Sequence, residues 1–104
     1  MELLRFYLQQ NQRHGSMPTY QWLLQQAHQL GASGGTAFHA LGGFGRHGWH
    51  QQSFFELAGD IPVAVEIVAE AELLDTLIRI TTEAAITIPW LRIPVRHGYT
   101  GPAA

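Results

Sequence analysis

The strongest constraint on this chain is the distance between two strand-like segments. The first, Thr36 to Leu41, carries Phe38 and Leu41 and passes directly into Gly42-Gly43-Phe44-Gly45-Arg46-His47-Gly48. The second, Ile61-Pro62-Val63-Ala64-Val65-Glu66-Ile67-Val68, begins only after a polar stretch that includes Gln51, Gln52, Ser53 and Asp60. An ordinary hairpin joins its strands through about two to five residues. The segment around 45–60 is therefore read as a long loop. In a small domain, a long glycine-rich loop more often carries function than fills space.

The rest of the chain supplies partners for these strands. Leu3 to Leu8 alternates, with Leu4, Phe6 and Leu8 on one face and Leu3, Arg5 and Tyr7 on the other. Gln9 to Gln12 and then Arg13-His14-Gly15-Ser16 read as a loop. Pro18 suits the first turn of a helix, and Tyr20, Leu23, Leu24, Ala27 and Leu30 follow at helical spacing until Gly31 stops it. Gly34-Gly35 is expected to turn the chain into the strand that starts at Thr36. Glu70, Glu72 and Asp75 crowd the start of a second helix, whose stripe is Leu73, Leu74, Leu77 and Ile78. Trp90 to Val95 forms a fourth strand, and Pro89 and Pro94 mark it as an edge. The tail from His97 to Ala104 is irregular.

The order β-α-β-β-α-β predicts the α+β class. Right-handed crossovers fold that order into a four-stranded antiparallel sheet with two helices on one face, the ferredoxin-like arrangement. One domain over residues 1–104 accommodates it. The other sheet face, carrying Leu3, Tyr7 and either Ala37 or His39, has no cover within the chain. A second subunit is expected there.

Composition closes several routes. The 104 residues are 46% hydrophobic and only 13% charged, and all six cations are arginines. A net charge of −2 argues against nucleic-acid binding, which needs a dense basic face. The absence of cysteine removes disulfides, thiolate zinc sites and thiol chemistry. No apolar run approaches the ~20 residues of a membrane span, and the start of the chain lacks the basic region of a signal peptide. A cytoplasmic protein is expected, without membrane insertion.

Gly42-Gly43-Phe44-Gly45 is neither a P-loop nor a dinucleotide fingerprint, because no helix follows it. Its backbone amides can cradle an anion as a nest does, or its glycines simply permit a bend. Arg46 beside it suits a phosphate or carboxylate through its planar fork. His39, His47 and His50 offer three nitrogens for a metal ion, although independent loop histidines are the simpler account. Trp49, Phe54 and Phe55 in the loop imply a short packed helix or a surface for a partner. No nucleophile and base pair up, and no G-x-S-x-G elbow is present, so an enzyme is not expected. Glu66, in an apolar strand, is accounted for as well by an ion pair with a neighbouring-strand arginine as by general-base work.

Four segments in combination resemble the PII-like proteins of the domain-of-unknown-function family 190, relatives of the nitrogen-regulatory PII signalling proteins. They are Leu3–Leu8, Arg13-His14-Gly15-Ser16-Met17-Pro18-Thr19-Tyr20, Ala37–Gly45 and Asp60–Val68, and the likeness runs in register over residues 2–96. It implies a homotrimer with ligands, often adenine nucleotides, in clefts between subunits at the base of the long loop. It also implies that the loop touches a target protein, in many relatives a membrane transporter or a metabolic enzyme. Arg13, His14, Gly42, Gly43, Gly45, Arg46 and Arg92 are the ligand-binding candidates, for a small anionic metabolite such as an adenine nucleotide. The chain departs from PII proteins in having no lysine, no tyrosine between Gly45 and Asp60 and no glycine in Thr81–Thr87, and from its family relatives, which usually carry acidic residues after strand one, in having amides at Gln9–Gln12. Two other readings stand beside this one. One is a metal-binding trimer like the copper-tolerance (CutA-like) relatives, using His39, His47 and His50; the other is a small ferredoxin-like enzyme.

Overall fold

The computed structural model describes residues 1–45, 48–51 and 61–102, the stretch 48–51 by its backbone. Its elements run β1 (Glu2–Gln9), β2 (Arg13–His14), β3 (Met17–Pro18), α1 (Thr19–Leu30), β4 (Gly34–His39), β5 (Gly42–Gly45), β6 (Gly48–Gln51), β7 (Pro62–Ala69), α2 (Ala71–Glu83) and β8 (Trp90–Pro94). The main sheet is antiparallel in the order β4-β7-β1-β8. That is the ferredoxin-like topology, with β1 and β7 central and β8 on an edge.

Alternation in the two central strands builds the core. Leu4, Phe6 and Leu8 of β1 and Val63, Val65, Ile67 and Ala69 of β7 are all buried beneath the helices. α1 adds Leu23 and Ala27 to this cluster, and α2 adds Leu74 and Leu77. Thr81 is buried as well, and its hydroxyl is satisfied by donating to the Leu77 carbonyl at 2.7 Å. Gly31 ends α1 in the left-handed conformation, φ 91°, with its amide turned back to the Ala27 and His28 carbonyls. After α2 the chain lacks a glycine, so Ala85 takes a left-handed φ of 61°.

The structure corrects several local expectations. Pro18 is not in the first turn of α1. It sits one residue earlier at φ −60°, ψ 140°, where its extended ψ lets it close a two-rung ladder with Arg13. Arg13–Ser16 is accordingly half of a tight hairpin, β2–β3, turned by Gly15 at φ 63°. Gly34 and Gly35 do not form a turn but begin β4, paired with Val68 and Ile67. A Cβ on Gly35 would lie 3.1 Å from both Ile67 Cδ1 and Leu24 Cδ2, so this glycine lets α1 lie close on the sheet. The parity of β4 also differs. Ala37 pairs with buried Val65 and packs on the core, so Thr36 and Phe38, not Ala37 or His39, belong to the uncovered face.

Gly35→Val should lower stability by about 1–3 kcal/mol through overpacking. Gly34→Val, which enters open space, should change it by no more than about 0.5 kcal/mol. Ala85→Gly should raise stability by roughly 0.5–1 kcal/mol, since left-handed backbone costs a Cβ more than glycine's extra freedom. Urea denaturation of the three variants checks all of these.

Candidate functional site

Three strand ends meet at one end of the sheet. β1 leaves at Gln9, opposite Pro62 where β7 enters, and β4 leaves at His39, opposite Val63. Two backbone hydrogen bonds fasten the roots of the connecting segments here. The Gln10 amide donates to the Ile61 carbonyl at 2.7 Å, and the Ala40 amide to the Pro62 carbonyl at 2.9 Å. The 40–61 segment therefore starts and finishes beside the exit of β1.

Arg13 and His14 leave this same end. The exposed Arg13 guanidinium donates to the Ser16 carbonyl at 2.6 Å, closing its own hairpin. The His14 ring lies 4.8 Å from the Trp22 ring of α1, so the β2–β3 hairpin is packed on the helix. Beyond β4, Gly42–Gly45 is an extended strand whose partners run from Gly42 with Gln51 to Gly45 with Gly48. A nest requires backbone of alternating hand, and β5 instead engages its backbone in a ladder. The nest reading is therefore corrected to a glycine-built hairpin. Arg46, His47, Phe54 and Phe55 lie outside the described residues, as do the side chains of Trp49 and His50. Among the described residues no three histidine or acidic side chains gather as metal ligands.

A hollow of about 210 Å³ opens between the start of α1 and the end of β4, lined by Gln10, Tyr20, Ala37, Phe38, His39 and Val63. Nothing in the periodicity marked Gln10 or Tyr20, because each reads alone as a loop amide and a helix-core aromatic. Two buried polar atoms without a hydrogen-bond partner, Gln9 Oε1 and Thr19 Oγ1, belong to the neighbouring residues in the chain.

Arg92 is placed elsewhere. It pairs with Leu4 across β1–β8, about 17 Å along the strand direction from the Gln9 end and on the opposite edge from β4. Its Nη1 donates to Asp75 Oδ1 at 2.6 Å, its Nε to Glu2 Oε1 at 2.8 Å, and its Nη2 to Glu2 Oε1 and to the Ala71 carbonyl. The bond to Asp75, followed by that to Glu2, holds the guanidinium pKa above its ordinary value against burial. Within one chain, Arg92 ties β1, β8 and α2 together and does not join Arg13 and Gly42–Gly45.

The uncovered sheet face has its own centre. Arg5 and Glu66 are directly opposite across β1–β7, and the Arg5 Nε and Nη2 both donate to Glu66 Oε2, the former at 2.8 Å. Arg5 Nη1 also reaches the Tyr7 hydroxyl, at 3.4 Å, which with Glu66 holds the arginine pKa up. Around this pair Tyr7 is 40% exposed, Phe38 44% and Ile93 44%.

The sequence of residues 1–89 matches the DUF190 family, described as "Uncharacterized ACR". The chain belongs to this family. It is 33% identical over 72 residues to a UPF0166 protein from Aquifex aeolicus (strain VF5), covering 68% of this chain and 69% of that one. Its fold resembles that of CPII from Thiomonas intermedia K12, solved bound to ADP and bicarbonate. The two superpose with a TM-score of 0.57 at 21% identity, over 88% of this chain and 80% of that chain. This DUF190 chain is thus PII-like in fold. No helix among its described residues is long and apolar enough to cross a membrane.

Arg92→Met should lower stability by about 1–2 kcal/mol, since it removes a multidentate and partly buried network rather than a single exposed pair. The loss should shrink at high salt for the part carried by exposed Asp75. Denaturation at low and high ionic strength reads both effects.

Proposed function

We propose that this DUF190 protein is a non-enzymatic, PII-like regulatory protein of the cytoplasm. It assembles as a homotrimer and binds a small anionic metabolite, an adenine nucleotide, in clefts between subunits. The segment between β4 and β7 acts on a target protein. The observation that carries this reading is the uncovered sheet face, where apolar Leu3, Tyr7, Phe38, Val68, Leu91 and Ile93 surround an ion pair already made within the chain. An exposed apolar surface of this kind marks an association site, and a prepaired arginine and glutamate cost less to cover than unpaired charges.

The ligand part of the reading is supported by the CPII likeness and by chemistry at the loop root. Arg13 and Gly42–Gly45 leave the same end of the sheet, and Arg46 follows directly on β5 in sequence. Arginine is the suitable cation there, because its planar fork matches phosphate oxygens. Arg92, at the opposite end, can enter such a cleft only from another subunit. A metal-binding trimer using His39, His47 and His50 is the alternative.

Titration calorimetry with AMP, ADP, ATP and cyclic AMP tests the reading. At least one should bind, and Arg46→Ala should weaken it by roughly ten- to a hundredfold through lost charge-assisted hydrogen bonds. Arg46→Lys should restore only part. Absence of heat with all four at millimolar concentration would remove the nucleotide, and uptake of a divalent metal in its place would favour the histidine reading.

A further inference from the structure

We propose that Glu66 Oε1 is a self-recognition site on the uncovered sheet face, filled by the Tyr7 hydroxyl of a second copy of the chain. The inference rests on the reading that further copies cover this face, and it names the contact that selects them. The face is not evenly apolar. Thr36 of β4 stands opposite Glu66 of β7, and Glu66 stands opposite Arg5 of β1. Directly opposed residues share a face, so these three form a polar stripe about 10 Å long across the sheet. An apolar row containing Phe38 and Tyr7 runs along one side of the stripe, and one containing Val68 and Leu3 along the other.

Hydrogen-bond capacity within the stripe is unbalanced. Arg5 Nε and Nη2 both donate to Glu66 Oε2, and Arg5 Nη1 donates to the Tyr7 hydroxyl oxygen. Among the described residues no donor reaches Glu66 Oε1. The Tyr7 oxygen acts as an acceptor here, so its own hydrogen is free to be donated. Water meets both needs while the face is exposed. Beneath a purely apolar cover, Oε1 would become a charged acceptor without a partner, which is costly. A cover that fits must therefore carry a donor that projects from its own surface.

A second copy carries such a donor. Tyr7 is 40% exposed and its hydroxyl is held at the Arg5 guanidinium, whereas Arg5 itself is tied down on its own Glu66. The Thr36 hydroxyl sits on a short side chain level with Glu66. Each copy then gives one phenol hydrogen and accepts one at Oε1. The count closes in a ring of copies and leaves an unmet acceptor at the end of an open chain, which favours closed assembly. An apolar surface lacking the donor is disfavoured, so the same contact discriminates against other partners.

Sedimentation of the intact protein over a dilution series, with Tyr7→Phe, Thr36→Val and Glu66→Gln beside the wild type, tests the contact. Tyr7→Phe keeps the ring and removes only the hydroxyl. It should raise the concentration at which subunits separate by about tenfold or more. Thr36→Val, which removes the other hydroxyl at the stripe, should move it by no more than about twofold. Glu66→Gln should weaken assembly as well, and adding Tyr7→Phe to it should cost little more, because groups in direct contact are not additive. An assembly that Tyr7→Phe leaves unchanged, an equal loss in Thr36→Val, or full additivity of Tyr7→Phe with Glu66→Gln would each overturn the proposal and leave assembly through this face intact. A wild-type chain that stays single at every concentration would remove the assembly reading itself, and this contact with it.

Discussion

Because successive residues of a strand point to opposite faces, the eight-rung ladder between β1 and β7 decides what each face of the molecule can do. Its register sets Leu4, Phe6 and Leu8 beside Val63, Val65, Ile67 and Ala69 under the helices. The same register sets Leu3, Arg5 and Tyr7 beside Ala64, Glu66 and Val68 on the other side. A slip of one residue would bring either Arg5 or Glu66 into the core. The apolar demand of seven core positions therefore fixes the pairing of the two charged residues, and with it the character of the uncovered face. Both helices are consumed in covering one side, and on the other Tyr7, Phe38 and Ile93 stay 40–44% exposed.

The two ion-pair systems divide the work between them. Arg92 with Glu2 and Asp75 lies on the helix side, at the end of the sheet far from the loop root, and fastens an edge strand to α2. Arg5 with Glu66 lies in the middle of the open face. The first is a tether within the chain. The second is a polar centre in an apolar patch, an arrangement that favours one alignment of a covering surface over others. The opposite end of the sheet has no such tether among the described residues. Its strands are tied by backbone bonds, and polar side chains gather around the hollow instead.

Much of this was legible in the residues. The alternation of Leu4, Phe6 and Leu8 and the helical spacing of Leu73, Leu74, Leu77 and Ile78 carried the elements, their order and the topology. Gly31 at the end of α1 and the proline-flanked edge strand followed from local backbone chemistry, and the pairing of Glu66 with a neighbouring-strand arginine followed from its apolar setting. What failed was short-range. Gly34-Gly35 looks like a turn, and only the nearness of Leu24 and Ile67 shows that it is a strand where a helix passes close. With those two residues taken out of β4, Ala37 or His39 was assigned to the outer face, and Phe38 was missed there. Gly42–Gly45 carries no side-chain period, so its ladder was invisible, and the gathering of Gln10, Tyr20 and His39 depends on three separate elements meeting. Arg92 was chosen for its charge, but its partners at Glu2 and Asp75 are remote in sequence.

The central claim is that the face around Arg5 and Glu66 is covered by further copies of the chain. Sedimentation of the purified protein over a dilution series into the low micromolar range tests it most directly. A species of three times the 11.6 kDa chain mass, persisting on dilution, is the result predicted. A stable species of the single-chain mass throughout the series would contradict the claim, because the Tyr7, Phe38 and Ile93 face would then be a solvent surface and the inter-subunit cleft would not exist.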